Sequence, residues 1–160
     1  MSKRPQVLRE LHRAETSLAR DLLKLANRHR PEQEIHYAAL DIATWSMRHV
    51  TQIAQVGREH GIRLNPRPRW ARPWDGLTSR LSTHLAARPE TGPPLLADLR
   101  RVHRKAAGVS LDWELLAQAA QAMRLADLLE LTQSCHPDTL RQMRWANAHL
   151  KITSSQIIAS

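Results

Sequence analysis

At 160 residues, with a formal charge of +9 and a single cysteine, Cys135, the chain is long enough for one buried core but cannot be a disulfide scaffold. One cysteine also leaves a zinc ribbon without ligands, and no run approaches the roughly 18 apolar residues of a membrane span. The charge is uneven: residues 61–110 hold ten Lys and Arg against three Asp and Glu, whereas residues 111–160 hold four against five. Glycine is scarce, phenylalanine is absent, and the frequent Leu, Ala, Arg and Gln all rank high in helix propensity. These properties predict one all-α domain over residues 1–160. The opening MSKRPQVLRE has no apolar run behind it, so a cytoplasmic protein in a reducing compartment is expected.

In chain order, Leu8, Leu11, Leu18, Leu22 and Leu25 recur at helical spacing and predict an amphipathic helix over 6–28. Pro31, followed by Glu32 and Glu34, suits the first turn of a second helix reaching about His60. Its stripe is Ile35, Ala38, Ile42, Trp45, His49, Ile53 and Val56, with Gly61 as its stop. Six of the nine prolines fall in 61–94, where Leu77, Leu81 and Leu85 predict one short helix. A further helix is expected over 95–107, closed by Gly108 and followed by Ser110 as the cap of a new helix.

Residues 111–133 are apolar on most of their circumference and predict the most buried helix. Ser134-Cys-His-Pro137 should end it. Pro137 then opens the last helix, to about Ile158, with the stripe Leu140, Met143, Leu150 and Ile157 and a second face of Trp145, His149 and Ile152. The expected architecture is a four-helix bundle of two αα-hairpins, 6–59 and 111–158. They are joined by a long, partly helical, basic crossover over 61–109. That link is long enough to run the length of the bundle, so helices 32–59 and 111–133 should lie parallel.

Glu15 fills the gap in the first stripe, which turns its carboxylate inward, where it needs a partner. His49 stands 18 residues after Pro31 and Glu15 stands 16 before it, so the two lie within roughly 3 Å of the same level. Glu130 and Asp127 precede Pro137 by 7 and 10 residues and His149 follows it by 12. In the crossover topology Glu15, His49, Asp127 or Glu130, and His149 would share one zone.

In this layout the chain resembles the ferritin-like di-iron carboxylate proteins: two long hairpins, a long crossover, an inward glutamate on the first helix and histidines on the second and fourth. The resemblance implies a site for iron or zinc formed by Glu15, His49, Asp127, Glu130 and His149. Ser46 and Ala146 stand three residues before the two histidines, where that family has bridging carboxylates, which implies a mononuclear or vestigial centre. The same Glu15 and His49 also fit a buried polar pair that fixes register and needs no metal.

Nucleotide-binding glycine loops, HExxH and CxxC are all missing from the sequence. Ser134-Cys135-His136 sets a thiol beside an imidazole, readable as an activated thiol or as a structural cysteine. Arg63, Arg67, Arg69 and Arg72 interleave with Trp70 and Trp74, and Arg100, Arg101, Arg104 and Lys105 follow. This pattern suits a nucleic acid, an acidic protein or an anionic surface, while the tryptophans equally suit anchors for the crossover. The expected function is a non-catalytic binding or adaptor module with no cofactor and a basic face for an anionic or protein partner. A metal-binding bundle with oxidase or storage chemistry, and a bundle that senses a small ligand, are the alternatives; a homo-oligomer is compatible with each.

Overall fold

The computed structural model describes residues 3–71 and 92–160. Four long helices form the framework: α1 (Arg4–Arg28), α2 (Gln33–Glu59), α3 (Gly92–Ala122) and α4 (Ala126–Ile158), with a short 3-10 turn at Arg69–Ala71 after α2. The described residues contain no strand. The short helix expected around Leu77, Leu81 and Leu85, and with it Arg72 and Trp74, lies outside the described residues.

Each leucine of the first stripe, Leu8, Leu11, Leu18, Leu22 and Leu25, is fully buried, as is Glu15 among them. On α2 the buried face is Ile35, Ala39, Ile42, Ala43, Ser46, His49, Val50 and Ile53. Small side chains at 39, 43 and 46 let the backbones approach, and α1 and α2 pack along their length. Across the helices, Arg28 and His29 meet Asp98, Ser17 meets Lys105 and Glu15 meets Trp113, so α1 and α3 run antiparallel. Likewise Gln142 meets Ile42 and Ser46, His49 meets Asp138, and His60 meets Asp127, so α2 and α4 are antiparallel. The neighbours form the ring α1, α2, α4, α3, and α2 runs parallel to α3 across its diagonal.

The second half of the chain divides differently from the sequence expectation. Gly108 lies inside α3 rather than closing a helix, Ser110 is buried with its hydroxyl 2.8 Å from His136 Nε2, and the helix continues to Ala122. Pro137 lies inside α4, where the Gln133 carbonyl forgoes the amide it would otherwise receive. The turn between them is Met123 to Leu125. There the Leu125 amide donates back to the Ala120 carbonyl at 2.9 Å, and Arg124 adopts a left-handed φ of 56°. The end of α2 has the same closure: the Ile62 amide donates to the Gly57 carbonyl at 2.8 Å around Gly61, whose φ is 73°.

Two corrections follow from the shifted turn. Residues 111–133 are not one buried helix, because they straddle the turn and expose Leu111 and Leu115. The buried face of α4 is Leu128, Leu131, Thr132, Cys135, Asp138, Thr139, Gln142 and Ala146, displaced from the expected Leu140, Met143, Leu150 and Ile157 stripe.

The placement of Gly108 is directly testable. It is exposed, has no positive φ, and a Cβ built on it meets nothing within 4 Å. Gly108→Ala should therefore stabilise the protein by about 0.5–1 kcal/mol in urea unfolding, the helix-interior difference between the two residues. Were residue 108 a left-handed helix cap, the same change would destabilise it.

Candidate functional site

A single carboxylate oxygen lies where the four helices converge. Glu15 Oε1, from α1, accepts hydrogen bonds from His49 Nδ1 of α2 at 2.9 Å, Trp113 Nε1 of α3 at 2.8 Å and Thr139 Oγ1 of α4 at 3.3 Å. All four residues are essentially inaccessible to water. The Trp113 ring stands edge-on to the His49 imidazole, 5.9 Å between centroids. Three donors on one oxygen offset the desolvation of the charge, and Glu15 Oε2 is buried with no hydrogen-bond partner among the described residues.

On its far side, His49 Nε2 lies 3.2 Å from Asp138 Oδ2. Asp138 also takes Arg48 Nη2 at 2.9 Å and Arg141 Nη1 at 2.8 Å, which connects the core network to the surface. Carboxylates only accept, so both imidazole contacts are hydrogen bonds when the ring carries both protons. One turn along α4, the Gln142 amide donates to the Ile42 carbonyl at 2.8 Å and to Ser46 Oγ at 2.9 Å.

The expected Glu15 and His49 contact is thus present, but the other proposed ligands lie elsewhere. Because the turn falls at 123–125, Asp127 and Glu130 belong to α4 rather than to the third helix. Asp127 is ~18 Å along the axis from Thr139 and accepts from His60 Nε2 at 2.6 Å. Burial works to raise the Asp127 carboxyl, but that bond, backbone amides and the His60 charge hold it below its ordinary value. Glu130 is exposed, and His149 packs on the Trp145 ring at 5.0 Å, ~15 Å along α4 from Thr139. Among the described residues no group of three or more His, Cys, Asp or Glu is placed to hold a metal ion. Both nitrogens of His49 face carboxylates from opposite sides, and Asp127, Glu130 and His149 lie away from this level, so the ligand set that the resemblance implied does not converge on one point.

Asp138, with Trp113 and Thr139, is a member of this network that the sequence expectation lacked. The signal was the stripe Cys135, Asp138, Gln142 and Ala146 at three- and four-residue spacing, too polar to read as a core face. Cys135 itself is buried and donates to Gln52 Oε1 at 3.3 Å. Burial, with the charges of Glu15 and Asp138, pushes its thiol up to about 12 against a smaller opposing effect of Arg48. His136 turns away to Ser110. The thiol and imidazole do not activate one another.

The second polar assembly lies between α1 and α3. Asp98, buried, takes Arg28 at 2.9 and 3.0 Å, Arg101 at 3.0 Å and His29 at 2.8 Å. Lys105 Nζ lies 2.6 Å from Asp21 Oδ2 and donates to Ser17 at 2.7 Å. Above these pairs Arg100 and Arg104 are exposed, and the described residues give neither a carboxylate partner. Ala97, Arg100, Arg101, Arg104 and Lys105 line a shallow depression of about 550 Å³. Arg13, Arg20 and Lys24 are exposed on α1, and their spacing puts them on its outer surface beside α3.

Arg63, Arg67 and Arg69 are also exposed but belong to a different region. Their segment is tied down by His12 Nε2 to the Asn65 carbonyl at 2.7 Å and by Thr51 Oγ1 to the Pro66 carbonyl at 3.0 Å. His12 and Arg28 are ~24 Å apart along α1, so this segment and the Arg100 to Lys105 group do not form one continuous depression. Trp70 is half-buried with its indole nitrogen enclosed, the posture of an anchor. No described helix is long and apolar enough to cross a membrane. Comparison with protein-family models, with curated proteins and with solved structures finds no match to this chain.

Two measurements test the core network. Glu15→Ala should cost on the order of 3 kcal/mol in urea unfolding, because it strands three buried donors. Glu15→Gln, which keeps an acceptor oxygen, should cost less, and equal losses would show that the packing rather than the oxygen matters. Cys135 in the native protein at pH 8 should react with iodoacetamide more than tenfold slower than in urea, because its raised value keeps it a thiol. Equal rates would place the thiol at the surface.

Proposed function

We propose that this protein is a non-catalytic helical-bundle binding module whose basic α1/α3 face takes an anionic partner. The observation that carries the reading is the division of labour among the cations there. Arg28, Arg101 and Lys105 neutralise the inward Asp98 and Asp21, whereas Arg100 and Arg104 remain exposed over the same depression without a counter-ion among the described residues. Internal pairing accounts for the first group. It does not account for the second, nor for Arg13, Arg20 and Lys24 along the adjoining helix. These eight cations on one face raise the local concentration of a polyanion and speed its encounter.

The core supports a binding role over catalysis. Glu15, His49 and Asp138 donate to and accept from one another in the dry centre of the bundle, which Trp113 fills, so their chemistry is spent on holding helices together.

The double variant Arg100→Glu and Arg104→Glu removes no internal ion pair, so its melting temperature should stay near that of the wild type. Its affinity for sodium polyglutamate or for a 20-base-pair duplex at 50 mM salt should fall at least tenfold. Wild-type binding to the same probes should weaken steeply between about 50 and 200 mM salt. Binding that is indifferent to the charge reversal would remove the proposed role of this face.

A further inference from the structure

The outer surface of α3 carries a second pattern along its length. Ala97, Arg100, Arg104, Gly108, Leu111, Leu115, Gln118 and Ala122 recur at intervals of three and four residues, and every one of them is exposed. They form one stripe, pointing away from both α1 and α4, that is ~37 Å long. Its first half is basic. Its second half is apolar: Leu111 is 60% and Leu115 64% exposed, two large side chains one turn apart. Between the halves, Gly108 leaves open space where a side chain would stand.

We propose that this stripe docks a single amphipathic helix of a protein partner, with acidic residues along one half of its contact face and apolar residues along the other. The inference rests on the anion-binding reading of the α1/α3 face and specifies the partner. Charge complementarity fixes the arrangement. Acidic side chains on the partner meet Arg100 and Arg104, over the depression they share with Arg101 and Lys105. Apolar side chains cover Leu111 and Leu115, and the partner backbone approaches closest at Gly108. Asp112 and Glu114 flank the leucines, so acidic residues are disfavoured at that end. Burial and the neighbouring charges of Glu10 and Glu15 already push the Asp112 carboxyl above its ordinary value.

The same residues argue against other occupants. A nucleic acid or an anionic bilayer would be drawn to Arg100 and Arg104, but Asp112 and Glu114 would repel its phosphates at the leucine end. A second copy of this chain does not match either. Antiparallel copies crossing at Gly108 would set Leu111 near Lys105 and Leu115 near Arg101, and parallel copies would set arginine on arginine. A helix lying along a stripe of this length is read through anchors at three- and four-residue spacing, the pattern found here.

The test uses the full chain and fluorescein-labelled 24-residue helical peptides with one contact stripe of glutamates in one half and leucines in the other. The two chain directions are made separately, together with a control of the same composition whose stripe alternates glutamate and leucine. Fluorescence anisotropy at 100 mM salt should show one of the segregated peptides binding at least tenfold tighter than the control. Leu111→Asn with Leu115→Asn, which changes only exposed positions, should remove that preference, as should Arg100→Glu with Arg104→Glu. Equal binding of all three peptides, or indifference to the leucine changes, overturns the helix-docking proposal. A 20-base-pair duplex that loses affinity with the arginine changes, while no peptide shows the preference, also overturns it but keeps the anion-binding face. Failure of the peptides, polyglutamate and the duplex alike to bind overturns both.

Discussion

The bundle is organised around one buried oxygen. Glu15 Oε1 receives a donor from each of the other three helices, so displacing any one of α2, α3 or α4 leaves either a carboxylate or its donor unsatisfied in a dry environment. Leucine packing alone tolerates sliding and rotation of one helix on another. Three directed hydrogen bonds to one point do not, and they fix the height of His49, Trp113 and Thr139 together. The residues at that level are correspondingly specialised: a fully buried tryptophan on α3, a small Ser46 on α2 and a threonine on α4. Asp138 extends the constraint outward through His49 to Arg48 and Arg141, which are more than half exposed.

A second carboxylate performs a comparable task at the end of the bundle where α1 finishes. Asp98 gathers Arg28, His29 and Arg101, closing α1 against the start of α3. Both assemblies consume the cations nearest to them, and the surplus charge becomes interpretable once they are identified. The middle of the chain is the most basic part of the sequence, yet the positive residues of the first half of α3 divide into those that neutralise buried acids and those that face solvent over the same depression. Formal charge alone does not make that distinction.

The first hairpin was legible in the sequence because every signal agreed. The leucine stripe of α1 was interrupted only at Glu15, Pro31 marked the turn, and nearly equal distances from that proline set Glu15 level with His49. The second hairpin was not, because three residues that usually mark helix ends do otherwise here. Gly108 lies in mid-helix where no cap is formed, Ser110 uses its hydroxyl on His136 instead of an N-terminus, and Pro137 is accommodated inside α4. The true turn uses Arg124 in a left-handed conformation that glycine adopts more readily. At Gly61 the same hydrogen-bond closure carries the expected residue, and there the helix end was read correctly.

That displaced turn also explains why Asp127, Glu130 and His149 do not meet the Glu15 and His49 pair. Moving the turn from 134–137 to 123–125 transfers Asp127 and Glu130 to the other helix and carries them away from the Glu15 level. It brings Asp138 and Thr139 into their place. The carboxylate facing His49 therefore comes from α4, on the opposite side of the ring from Glu15, and the imidazole lies between two acceptors instead of beside them. A histidine flanked in this way joins two carboxylates through its two ring nitrogens. An ion would need one ring nitrogen bare and the carboxylates converging with it on a common point, whereas here Glu15 and Asp138 stand on opposite sides of the ring, an arrangement that suits a helix clamp better than a ligand set. Polar residues buried at the centre of a bundle thus acquire their meaning from which atoms face each other, and here they face inward to hold the scaffold that presents the outer surface of α3.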